Sequence, residues 1–128
     1  MKLYCFDSGV GRAIDMFGSS HLTLSRVVRL ANEAQIVCMY LGPKGLVGFH
    51  QATVRQLFLV VDGSGWVRGE APERVPIAAR QAAFWEAGEW HEAGSETGLT
   101  AIVIESEALD PEQFMPEAPD SRGIIGQI

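Results

Sequence analysis

The stretch Gly45-Leu-Val-Gly-Phe-His50-Gln-Ala52-Thr-Val-Arg-Gln56-Leu-Phe-Leu-Val-Val-Asp-Gly63-Ser-Gly65 decides how this 128-residue chain is read. It sets one histidine in a run of apolar β-formers, a small residue two positions on, and a glutamine four further on. A buried polar group without a partner costs about 1–3 kcal/mol, so His50 and Gln56 need a purpose inside such a run. Alternate residues of a strand share a face, which puts Gly48, His50 and Ala52 together, and Gln56, Phe58 and Val60 together. Asp62-Gly63-Ser64-Gly65 predicts a hairpin turn, with Trp66 to Gly69 as its return arm. A second polar spot follows at Gly88-Glu-Trp-His91.

Outward from this stretch the chain is rich in strand and turn signals. Lys2 to Phe6 predicts a short first strand, and Ala13 to Phe17 one helical turn within a Gly-containing loop. His21 to Leu30 and Ile36 to Leu41 predict strands, the second apolar on both faces and so sandwiched. Gly42-Pro43-Lys44-Gly45 predicts a turn. Arg74 to Ala78 predicts a strand that Pro76 confines to an edge or bulge. Gln81 to Glu86, Trp90 to Ala93 and Leu99 to Ser106 complete the set. Pro111 to Phe114 predicts one short helical turn in an otherwise irregular tail. No segment sustains helical periodicity. Short strands with frequent turns predict an all-β antiparallel barrel rather than alternating strands and helices.

The length predicts one domain, 1–128, with a barrel over about 22–106, an N-terminal strand and loop over 1–21, and a tail over 107–128. Hydrophobic residues make up 47%, and no apolar run reaches the roughly 20 residues of a membrane span. The N-terminus lacks the apolar core of a signal peptide, so the default location is cytoplasmic. Cys5 and Cys38 are too few for a disulfide framework, and Cys38 reads as a small buried hydrophobe. The formal net charge is −6, and from Glu86 onward ten acidic residues face only Arg122. Such a surface repels phosphate backbones and excludes nucleic acid as the expected partner.

The two polar spots give the chain a resemblance. Its spacing is similar to that of the cupins, which carry a first motif G-x5-H-x-H-x3,4-E-x6-G. Here His50, Ala52, Gln56 and Gly63 stand at the motif's spacing, and Gly45 lies one residue closer to the histidine than the pattern has it. The second motif, which begins near Gln81, is matched by Gly88 and His91, with Glu86 and Ser95 at the flanking positions. The resemblance spans about residues 34–106 and implies a double-stranded β-helix, that is, a jelly-roll barrel with one open mouth.

In metal-binding cupins three histidines and a glutamate hold a divalent ion. Carried over, His50 and His91 match ligand positions, Ala52 replaces a histidine, and Gln56 replaces the glutamate. Two imidazoles and a neutral amide are a poor set for iron, manganese, nickel or zinc. His21 is a further candidate donor at a strand end. The alternative to a metal centre is a hydrogen-bonding cluster of His50, Gln56 and His91 that meets a ligand or water. Trp90, beside His91, is the expected aromatic wall, with Phe58 on the strand that carries Gln56.

Two functions follow. The first is a cupin-like protein that binds a small organic molecule in its barrel with a weak or absent metal centre, serving as a binding, regulatory or accessory protein. The second is a metal-dependent oxygenase or isomerase that uses His50, His91 and a third donor. A homodimer is expected because exposed sheet edges are normally covered, and the apolar end 123–128 is a candidate covering segment.

Overall fold

The computed structural model describes residues 8–29, 34–112, 115 and 117. The expected strand at Lys2 to Phe6, Cys5, Leu30, Phe114 and the chain end 123–128 lie outside these. Eight strands are described: β1 Arg12–Ile14, β2 Ser20–Arg29, β3 Gln35–Gln51, β4 Gln56–Arg68, β5 Val75–Ala78, β6 Ala82–Trp85, β7 Trp90–Ser95 and β8 Leu99–Glu105. Every pairing is antiparallel. β3 pairs with β7 and β8, and both of these pair with β4, so the four strands close a ring. The fold is therefore the expected all-β jelly-roll barrel. Among the described residues no helix is long and apolar enough to cross a membrane.

β3 and β4 differ from expectation in an instructive way. Each predicted turn inside them is a bend in one continuous strand. At Gly42–Lys44, β3 leaves β8 as its partner and takes up β7. Lys44 adopts φ 59 and its N–H donates to the Glu96 carbonyl at 3.0 Å. At Gly63–Ser64, β4 passes from β8 to β5, and β7 joins it from Trp66 onward. Gly63 has φ 79, and a Cβ there would lie 2.3 Å from the Gly98 carbonyl oxygen. Glycine is thus required for close approach, and the Asp-Gly-Ser-Gly hairpin of the sequence reading is corrected to a strand crossing. Turn composition signals a change of direction; it does not say whether the chain reverses or bends.

The inward faces follow period two. Val37, Met39 and Leu41 of β3 are buried, as are Phe58 and Val60 of β4, and Leu99, Ala101 and Val103 of β8. Cys38 is fully buried and free. Pro76 sits on β5, which ends the path of paired strands, as its missing N–H requires. In place of the helical turn expected at Ala13 to Phe17, the chain makes β1 and a single 3-10 turn at Met16–Gly18.

Candidate functional site

The strands bring His50 and His91 side by side. They are cross-strand partners of β3 and β7, and their ring centres lie 4.3 Å apart. His50 Nδ1 lies 2.7 Å from the Gly48 carbonyl oxygen. A carbonyl only accepts, so Nδ1 carries the proton and, in the neutral ring, Nε2 keeps the lone pair. His91 is 2% exposed and stacks on Trp85 at 4.5 Å. Its pKa is pushed down to about 4, by burial first and by His50 second. The Glu89 main chain favours the charged ring weakly, but not in hydrogen-bonding geometry: neither ring nitrogen of His91 has a partner.

A cavity of about 250 Å³ opens beside His50. One end is polar, and its geometry comes from strand register. Gln56 is opposite Glu105 of β8, and Glu105 is opposite Gln35 of β3. Directly opposite residues share a face, so the three form one polar rung, and all three line the cavity. Burial raises the Glu105 carboxyl above its usual range, and His50 partly offsets this. The remaining wall is mainly apolar, with Leu22 and Leu24 from β2, Val37 and Val47 from β3, and Val103 from β8.

The mouth side is closed by the segment that precedes β2. Phe17 stacks on His50 with ring centres 4.2 Å apart and planes 7° from parallel. It is 55% exposed, yet also lines the cavity. Its φ of 60 is a left-handed conformation, which costs a non-glycine residue about 1–2 kcal/mol. A Cβ on Gly48 would lie within 1.7 Å of the Phe17 carbonyl oxygen, so only glycine lets the segment lie this close. The Gly48 N–H donates to Ser19 Oγ at 3.1 Å and fastens it there. Phe17, His50, His91 and Trp85 make one column of rings from the surface into the core, and Phe58 meets Trp85 edge-on at 6.1 Å.

Gln56 lines the cavity, and Ala52 lines it without a donor atom. Phe58 lies behind Trp85 in the core rather than on the cavity wall. Trp90, expected as the wall, is 40% exposed and stacks on Phe49 outside the cavity. The inward tryptophan is Trp85, the β6 partner of Gln56. His21 lines a separate shallow depression with Tyr40, Asp62 and Thr100, so it does not join His50 and His91. Glu86 pairs with Arg55 at 3.1 Å and Glu92 with Arg68 at 2.7 Å, both away from the rung.

Glu105, Gln35 and Phe17 escaped the sequence reading. Glu105 and Gln35 stand outside the motifs but do carry a signal. Gln35 begins the inward series Val37, Met39, Leu41, and Glu105 ends the inward series Leu99, Ala101, Val103. Phe17 carries no such signal, because only the fold lays its segment across Gly48.

These residues do not fit a tightly held divalent ion. Gln56 is uncharged, Ala52 offers nothing, and Glu105, though it lines the same cavity, does not gather with His50 and His91 into a three-ligand group. Among the described residues no three His, Cys, Asp or Glu side chains gather as a metal-binding group. A divalent ion needs about three good donors and a compensating negative charge.

No family model and no curated protein matches the chain. Solved structures do. A predicted oxalate decarboxylase from Thermotoga maritima superposes with TM-score 0.68 at 20% identity, over 80% of this chain and 98% of that one. The polyketide cyclase RemF from Streptomyces resistomycificus gives TM-score 0.68 at 15% identity, over 91% of this chain and 89% of that one. A Cupin 2 conserved barrel domain protein from Salinispora arenicola gives TM-score 0.69 at 13% identity, over 84% and 90%. The resemblance read from the sequence therefore holds at the level of fold: this chain has the cupin fold.

Proposed function

We propose that the protein binds a small organic molecule inside its barrel, without a tightly held metal ion, as a binding, regulatory or accessory protein. The observation that carries this reading is the one-sided polarity of the cavity. His50, Gln56 and Glu105 converge at one end, and aliphatic side chains form most of the rest. Such an arrangement is typical of small-molecule sites: an apolar wall supplies affinity and a few polar groups fix orientation. The polar end both donates and accepts hydrogen bonds. The Gln56 amide does both, His50 Nε2 accepts when the ring is neutral, and a protonated Glu105 donates.

Protein purified without chelator tests the reading by elemental analysis, paired with a thermal-shift screen of small molecules. The expected result is metal far below stoichiometry and a melting temperature raised by a ligand, with the rise unaffected by chelator. Near-stoichiometric iron, manganese, nickel or zinc, lost in His50→Ala and His91→Ala, would overturn it. That outcome would favour a metal-dependent oxygenase or isomerase instead.

A further inference from the structure

We propose that the cavity takes a small, uncharged molecule with a planar conjugated ring, which stacks on His50 in the place that Phe17 now holds. The proposal rests on the small-molecule reading above and names the ligand class. Its basis is the ring column. Two members of the column, Phe17 and His50, line the cavity, and of these His50 is the one held in a strand of the barrel. The parallel 7° stack shows that the face of His50 accepts a flat ring. Phe17 is the member most open to exchange. It is half exposed, it holds a left-handed backbone, and displacing it relieves that conformation. Behind His50 the column is fixed, because His91 and Trp85 are 2% and 4% exposed.

Charge narrows the class further. Among the described residues that line the cavity there is no Lys or Arg, and Glu105 is a carboxyl. His50 is the one basic side chain in that lining and already faces Glu105, so a second negative charge there would have to share it. At about 250 Å³ the space lies just below the roughly 300–1,000 Å³ of drug-sized sites, which suits a molecule of one or two rings. A hydroxyl or carbonyl on the ring edge would meet Gln56 and Glu105.

Three probes of matched size test the idea by titration calorimetry on the whole chain: 2-naphthol, 2-naphthoate and decahydro-2-naphthol. Naphthol should bind roughly tenfold more tightly than either of the others, the upper end of what a stacked ring adds. In the native protein its ring current should move the His50 imidazole proton resonances upfield, and those of Phe17 should lose their present stacking shift. Phe17→Leu should keep naphthol binding, and His50→Leu should lose about tenfold. Equal affinity for all three probes, or naphthol binding with His50 and Phe17 resonances unmoved, overturns the planar-ligand inference and leaves the small-molecule reading standing. So does a screen that finds only anionic or saturated ligands in the cavity. If no probe binds and the screen is silent as well, the small-molecule reading itself falls.

Discussion

At the scale of single residues, His91 makes stability depend on pH. Its pKa is about 4 in the folded chain against 6.5 as an ordinary value. The unfolded chain therefore binds a proton first as the pH falls. The stability involved is fully present above 6.5 and is lost progressively toward 4, roughly 3 kcal/mol in all. Glu105 acts with the opposite sign. Its raised pKa means that the folded chain takes up a proton before the unfolded one, so acidification through that range favours folding. Urea unfolding at pH 7.5 and 4.5 measures both. His91→Phe should flatten the loss on acidification. Glu105→Gln should raise stability at pH 7.5 and steepen the loss. An unchanged slope in His91→Phe would show that the ring is not held neutral by its burial. Gly48 gives a second residue-scale prediction. Gly48→Ala puts a Cβ against the Phe17 carbonyl, so the 14–19 segment must lift. Limited proteolysis should then cut within it several-fold faster, with the melting temperature little changed. Cutting at the wild-type rate would mean that the segment is held by something other than this contact.

At the scale of elements, register decides which side chains reach the cavity. The sequence sets Phe84 and Trp85 side by side in a strand, so they face opposite sides, and Trp85 is 4% exposed while Phe84 is half-buried. It could not say that Trp85 would pair with Gln56 while Trp90 turned outward. The irregularity between Val47 and His50, where β3 slips against β7, in turn sets which β3 side chain meets His91. Such a slip flips side chains between faces and leaves no mark in composition. His50, Gln56 and His91 were legible because their chemistry is unusual on apolar strands. The bends were legible only as glycine-rich signals. Two variants test the elements. Gly63→Val, at φ 79 and in close contact with Gly98, should cost more than about 2 kcal/mol in urea unfolding. Ala52→His with Gln56→Glu restores the ligand types that the resemblance implies, at two positions that already line the cavity. Elemental analysis of this double variant should show near-stoichiometric divalent metal where the parent holds little. A double variant as metal-poor as its parent would mean that the strand geometry, not the ligand types, prevents binding.

At the scale of the molecule, the barrel class was readable because period-two apolar patterning and frequent turn signals recur between about residues 35 and 105. The homodimer is a proposal that light scattering at micromolar concentration tests, with a monomeric mass as the refuting result. A different consequence follows from the two strands that bend rather than turn. β3 pairs with β8 before its bend and β7 after it, and β4 with β8 before its bend and β5 and β7 after it, so neither half of the barrel can peel away while the other stays whole. Backbone amides of β3, β4, β7 and β8 should therefore exchange with solvent through one shared opening. Among the described residues the short β1 pairs with β2 alone at the outer edge, and it and the turn after it should open on their own and far more often. A molecule that takes the place of Phe17 on His50 would then come and go while the barrel stays shut, which uncouples residence time from the lifetime of the fold.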